Sequence, residues 1–107
     1  MSSITRIGLL VACTFAAVPA FAADPVTSGM RLVATCANCH GTDGVSANGE
    51  FETLPGRSKV ELLAKLHAYR DGNLPSTIMQ QLMKGYSAEE LELIAAYLEN
   101  EPRPRKK

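Results

Sequence analysis

The sequence has no tryptophan and few aromatic residues of any kind, which limits the core that the polypeptide can build by itself. Three phenylalanines and three tyrosines are spread over 107 residues. A domain of this size buries only about 60 to 70% of the surface that its unfolded chain exposes. Small domains of this kind are often stabilised by disulfides, metals or cofactors. The composition therefore predicts that a non-protein group contributes to the core.

The sequence also lacks an excess of charge of either sign. Eleven Lys and Arg residues balance eleven Asp and Glu residues. Proteins that bind nucleic acid or acidic membrane surfaces through electrostatics usually carry a basic excess. The net charge therefore gives no indication of partners of either kind.

The longest apolar run is too short for a membrane span and has the features of a secretory leader. Arg6 precedes the apolar residues 7–18, Pro19 interrupts the run, and Ala-Phe-Ala follows at 20–22. A bilayer span needs about 20 apolar residues, whereas this layout is typical of a cleaved signal peptide. We therefore predict that residues 1–22 are a signal peptide and that the protein is exported to the periplasm.

Cleavage at this point would leave a single domain over residues 23–101 and a basic tail over residues 102–107. We interpret the tail as a solvated terminus, with docking to an acidic partner as the alternative. Cys13 stands in a Leu-Val-Ala-Cys stretch that resembles a lipoprotein box. Because the apolar run before it is very short, we interpret Cys13 as a small residue of the discarded leader.

The rest of the chain predicts an all-α domain, because no alternating strand pattern of any length occurs. Ser58 with Glu61, and Ser87 with Glu90, each have the spacing of a capping box. Apolar residues at helical spacing follow both, at Leu62, Leu63, Leu66 and Tyr69 and at Leu91, Ile94, Ala95 and Leu98.

Two further helices are predicted on either side of a loop. One is expected from about Ser28 into the cysteines, and a short one between Pro75 and Gly85. Residues 41–56 are rich in Gly, Asn, Ser and Asp, which indicates a loop.

The sequence Cys-Ala-Asn-Cys-His at residues 36–40 is the strongest chemical signal. Zinc needs about four ligands, and beyond Cys36, Cys39 and His40 the predicted mature chain offers only His67. A redox dithiol would normally follow a strand in an α/β fold, and a disulfide over so short a loop would stabilise little. Cys-x-x-Cys-His is the signature of covalent haem attachment, with two thioethers and an axial histidine. We therefore predict one haem c held by Cys36, Cys39 and His40.

A second axial ligand would have to come from further along the chain. The candidates are His67, Met79, Met83 and, close to the attachment site, Met30. Met79 and Met83 are four residues apart on one helical face, so one could bind iron while the other packs. The spacing alone does not choose between them.

The chain resembles the class I c-type cytochromes over residues 29–100. The resemblance rests on "CANCHG" at 36–41, on "AYRDGNLPSTIM" at 68–79 and on "SAEELELIAAYL" at 87–98. It implies a small fold of four or so helices wrapped around one covalently bound haem. It also implies that the first and last helices cross at Gly29 and Tyr97, and that Met79 is the sixth ligand.

Within that family, "CHGTDGVS" and "PSTIMQQLMKGYSAEELELIAAYL" are similar to the haem-bearing subunits of flavocytochrome c sulfide dehydrogenases. This similarity also implies Met79 as the ligand, with Met83 as a packing residue, and an FAD-containing sulfide-oxidising subunit as the partner. The alternative is a free, diffusible carrier. A haem-free thiol or zinc module is a third reading.

One position departs from the family. A proline usually supplies the carbonyl that accepts a hydrogen bond from the ligating histidine, and Glu52 stands at that position, with Pro55 nearby. We expect the bond to persist, but the sequence does not identify the acceptor. The expected activity is one-electron transfer, because His/Met ligation fills both axial positions and favours ferrous iron.

Overall fold

The computed structural model describes residues 16–17, 19–20 and 22–103, and this part of the chain contains five helices and no strand. Their bounds are α1, Pro25–Val33; α2, Ala37–His40; α3, Lys59–Arg70; α4, Met79–Met83; and α5, Ala88–Asn100. The all-α prediction is confirmed. Most of the expected signal peptide and the last four residues of the basic tail lie outside the described residues. Within the described ranges, no helix has the length and hydropathy needed to cross a bilayer.

Helix α1 differs from the sequence prediction at both ends. It begins before Ser28, because Pro25 occupies the first turn and the Asp24 carboxylate accepts a hydrogen bond from the Val26 N–H at 3.4 Å. It ends at Val33, where the Cys36 N–H bonds to the Val33 carbonyl at 2.9 Å in a tight turn. The attachment residues therefore lie in a separate turn, α2, and the expectation of a helix running into the cysteines was wrong.

The two long helices begin where the sequence predicts. The Ser87 hydroxyl and the Glu90 carboxylate form a complete capping box at the start of α5. Ser58 caps α3 through the Glu61 N–H at 3.3 Å. The Glu61 carboxylate, however, pairs with Arg57 at 2.5 Å, and no reciprocal bond to Ser58 is present in α3. Only half of the predicted capping box therefore forms there.

The core is small and centred on α5. Six apolar side chains of the described residues are buried, and four of them lie on one face of α5: Leu91, Ile94, Ala95 and Leu98. Leu62 from α3 and Met83 from α4 complete the cluster. The apolar residues around it are only half-buried, as the sequence composition predicts for a chain that holds a non-protein group.

Helices α1 and α5 pack at Gly29, as the resemblance implies. A Cβ atom at Gly29 would lie 2.7 Å from the Leu93 carbonyl oxygen and 2.7 Å from the Tyr97 Cβ. Gly29 is buried in the middle of α1, where glycine is a poor helix former. Close approach of the two helices therefore accounts for the glycine.

Replacement of Gly29 by alanine should destabilise the protein. Overpacking costs about 1 to 3 kcal/mol, and the upper part of this range applies because the clash is with the Leu93 backbone and the Tyr97 Cβ. The better helix propensity of alanine recovers only about 1 kcal/mol, so a net loss of up to about 2 kcal/mol is expected in guanidinium unfolding of the haem-loaded protein. The exposed neighbour Arg31 is the control, since Arg31→Ala should change the unfolding free energy by less than about 0.5 kcal/mol. Equal stability of Gly29→Ala and the wild type would show that the crossing is not tightly packed.

Candidate functional site

Cys36, Cys39 and His40 are arranged on one short helical turn. The Cys36 carbonyl accepts hydrogen bonds from the Cys39 N–H at 3.2 Å and the His40 N–H at 2.9 Å. Residues three apart in a helical turn lie on the same face, so the two thiols share a face. Both are free, with Cys36 half-buried and Cys39 exposed.

The chain can leave this turn only through a glycine. Gly41 has φ +90, and a Cβ atom there would lie 2.0 Å from the Val45 carbonyl oxygen. A side chain at position 41 would therefore clash with the loop. The glycine lets residues 42–56 fold back towards His40.

The surroundings of Cys36 do not resemble those of a redox-active dithiol. Burial raises the pKa of the Cys36 thiol above its usual value, although a hydrogen bond with Thr35 acts in the opposite direction. Reactive cysteines of disulfide oxidoreductases have lowered pKa values, because the thiolate is the nucleophile. The burial of Cys36 therefore favours the neutral thiol over the thiolate.

A side-chain hydrogen bond connects the attachment turn to the segment after α4. The Thr35 hydroxyl and the Tyr86 hydroxyl lie 2.6 Å apart, and the Thr35 hydroxyl also donates to the Leu32 carbonyl at 3.1 Å. Thr35 can donate to Leu32 and accept from Tyr86 at the same time. This link holds Tyr86, which follows α4, against Thr35, which directly precedes Cys36. No sequence pattern predicts it.

The imidazole of His40 is oriented by the loop that follows it. Its Nδ1 lies 2.8 Å from the Glu52 carbonyl oxygen. Because a carbonyl oxygen can only accept, Nδ1 donates the proton in this bond. In the neutral ring the lone pair is then on Nε2, where a metal can bind. Phe51 packs beside the ring, with centroids 5.7 Å apart and planes at 56°. The acceptor that the sequence could not identify is thus Glu52, at the position where the family usually has proline.

The four candidates for a second axial ligand lie in different surroundings. Met83 is 3% exposed within the core, whereas Met30 is 51% exposed on α1. Met79 is half-buried at the start of α4 and packs against the core, and His67 is half-buried near the end of α3. Met79 therefore packs against the core and is still partly exposed, whereas the side chain of Met83 is buried within the core.

The residues present fit a covalently bound haem better than a metal ion alone. Among the described residues, no group of three or more His, Cys, Asp or Glu side chains could hold a metal ion. Two free thiols on one face, an imidazole whose Nε2 is not used in the bond to Glu52 and a partly open apolar core match the donors that haem c requires. The haem-free zinc module is therefore disfavoured.

A groove in the described part of the chain lies beside the attachment turn, at Ala34 and Ala37. Its volume is about 590 Å³, and it runs between α1 and the end of α5, past Met30, Val33 and Tyr97. None of Cys36, Cys39, His40 and Met79 lines it.

Comparisons with known proteins agree with this donor set. Residues 26–101 match the cytochrome c family. The chain is 40% identical to the cytochrome subunit of sulfide dehydrogenase from Chlorobaculum tepidum, over 74% of this chain and 73% of that protein. It is 35% identical to cytochrome c-553 from Nitratidesulfovibrio vulgaris, over 84% of this chain and 88% of that protein.

A further relative is cytochrome c4 from Pseudomonas aeruginosa, at 36% identity over 73% of this chain and 39% of that protein. Family membership implies covalently bound haem c, and Cys36, Cys39 and His40 stand in the Cys-x-x-Cys-His pattern that attaches it. The helical fold, the attachment turn and the extent of the match together show that this chain belongs to the cytochrome c family and is an electron carrier.

Proposed function

We propose that this protein transfers single electrons through one haem c whose thioether bonds come from Cys36 and Cys39 and whose axial ligands are His40 and Met79. The observation that carries the proposal is the 2.8 Å contact between His40 Nδ1 and the Glu52 carbonyl, because it leaves Nε2 as the ring's free donor. When bound, the haem iron alternates between its ferrous and ferric states.

Each residue of the site has a separate task in this proposal. The Nδ1 of His40 is occupied by the bond to Glu52, so Nε2 is the ring nitrogen that can bind the iron. Met79 offers a neutral thioether, and a thioether ligand favours the ferrous state more than a second nitrogen ligand would. If His40 and Met79 both bind the iron, no coordination position would remain open to small molecules.

Apolar side chains near both proposed ligands support a docking function. Phe51 is 47% exposed beside the His40 ring, and Ile78 and Leu82 are 53% and 45% exposed around Met79. Large exposed apolar side chains beside a ligand site are available for contacts with the ligand or a partner. They offer contacts to the haem and to a redox partner docked over its edge.

We further propose that the partner is an FAD-containing, sulfide-oxidising protein and that this chain is its haem subunit. Support comes from the relative at 40% identity that is a cytochrome subunit of sulfide dehydrogenase. In this arrangement residues 1–22 are the export signal, and electrons reach the haem in the periplasm. Sulfide chemistry then belongs to the partner, because His40 and Met79 leave no site for it here.

A diffusible carrier is the second candidate. Cytochrome c-553 is a relative that aligns over 84% of this chain and 88% of its own length, and its name does not make it a subunit of a larger enzyme. A diffusible carrier and a permanent subunit would share the same haem site. They would differ in what co-purifies with the protein.

Substitution of Met79 and Met83 should have different spectroscopic effects. Met79→Ala is expected to abolish the near-infrared Met-to-iron band of the oxidised protein, because it removes the proposed ligand. Met83→Leu nearly conserves volume in the core and should keep the band, at a cost of less than about 1.5 kcal/mol in stability. Retention of the band in Met79→Ala together with its loss in Met83→Leu would reverse the assignment.

Sulfide titration of the protein purified together with its native partners tests the proposed subunit role. A c-type spectrum with a flavin shoulder, and haem reduction on addition of sulfide, are expected. The isolated chain is the control. It carries no flavin, so any reduction of its haem by sulfide measures the direct reaction without the flavin. A haem spectrum without flavin and without response to sulfide in the co-purified material would favour the diffusible carrier.

A further inference from the structure

Glu52 takes part in the site through two separate groups. Its main-chain carbonyl accepts the hydrogen bond from His40 Nδ1 at 2.8 Å. Its carboxylate oxygen Oε1 lies 2.6 Å from the Arg57 guanidinium and 2.5 Å from the Lys65 ammonium. One residue thus joins the proposed haem ligand to a pair of cations.

The two cations connect Glu52 to helix α3 and to its own loop. Arg57 also pairs with Glu61 at 2.5 Å, and its Nε donates to the Thr53 carbonyl at 2.8 Å. Lys65 and Glu61 are both on α3. The Arg57 side chain is only 24% exposed and that of Glu52 36% exposed, so the pair is less screened by solvent than a fully exposed one.

The backbone around Glu52 has few other restraints. In the described part of the chain, residues 50–53 make no backbone-to-backbone hydrogen bond, whereas the Leu54 N–H bonds to Gly44 and the Gly56 N–H bonds to Leu98. The Glu52 peptide unit is therefore not held by a ladder or a helix. Its orientation depends on side-chain interactions.

We propose that Glu52 is a positioning residue, whose ion pairs with Arg57 and Lys65 hold its carbonyl against the His40 ring and so fix the ring's tautomer and orientation. The proposal rests on the proposed function, because it treats His40 as the iron ligand. An acceptor bonded to the non-ligating nitrogen of a histidine restricts the rotation of the ligating imidazole and increases its basicity. Here the restraint on the acceptor is electrostatic, so it should weaken with salt.

The readout is hydrogen exchange of the His40 Nδ1 proton, measured by NMR in the reduced, haem-loaded protein. Glu52→Gln keeps the carbonyl and the side-chain shape but removes both ion pairs. Exchange should become about two- to fivefold faster, the range expected for loss of a partly exposed ion pair. The amide protons of Leu91 and Ile94, in the core face of α5, follow the overall stability, so the local effect is the acceleration of Nδ1 exchange beyond any change in their rates.

Glu61→Gln is the matched control. It removes the same charge from the same network but leaves both Glu52 ion pairs in place. Any general effect of lost negative charge on exchange is therefore common to both variants, and only Glu52→Gln should accelerate exchange beyond it. At about 1 M salt, where the Debye length is about 3 Å, the wild type should approach Glu52→Gln.

The failure of this proposal can be distinguished from failure of the proposed function. In the oxidised wild type, the His40 ring carbon protons must show hyperfine shifts if His40 binds iron, and their absence would overturn the proposed function. With those shifts present, equal exchange in Glu52→Gln and Glu61→Gln would overturn the positioning role. If Glu52→Gln does not accumulate, Lys65→Gln replaces it; this variant keeps the Arg57 ion pair, so a smaller acceleration in the same direction is expected, and a wild-type rate in it would also overturn the role.

Discussion

The hydrogen bond between His40 Nδ1 and the Glu52 carbonyl determines what the attachment turn can do. Without it, the ring could rotate and either nitrogen could carry the proton. With the bond at 2.8 Å, Nδ1 is occupied and Nε2 is the ring nitrogen that can bind a metal. The Cys-x-x-Cys-His turn thereby becomes a defined site. The bond also joins two parts of the chain that are twelve residues apart, so the loop between them has to be folded before the site exists.

The helices position the attachment turn, while the core that they form by themselves is small. Helix α5 supplies four of the six buried apolar side chains, and α1 crosses it at Gly29. That crossing fixes the position of the attachment turn, which follows α1 after three residues. Because the remaining core is only half-buried, the covalently bound haem is expected to contribute apolar contacts that the polypeptide lacks.

The strongly periodic parts of the fold could be predicted from the sequence. The capping residues Ser58 and Ser87 and the apolar face of α5 gave the positions of both long helices, since these signals are local. The end of α1 could not be predicted, because a tight turn at Val33 separates it from the cysteines. Half of the capping box at Ser58 is missing because Glu61 pairs with Arg57 instead, a competition that no local pattern reveals.

The candidate site likewise contains residues that the sequence predicts and contacts that it does not. Cys36, Cys39 and His40 are adjacent in the sequence and form a recognisable motif, so they could be named before the structure was seen. The carbonyl of Glu52 could not, because a backbone acceptor leaves no signal in residue types. The Thr35 and Tyr86 contact, across 51 positions, was missed for the related reason that hydroxyl pairs have no characteristic spacing. Met79 remains a prediction, supported by its half-buried position beside a fully buried Met83.

Mass spectrometry of the native protein and of its tryptic peptides tests the central claim most directly. The account predicts an intact mass equal to the chain plus one haem, with the haem retained on the peptide that contains Cys36–His40 after denaturation. A peptide with two free thiols, or with a disulfide between Cys36 and Cys39, would contradict it.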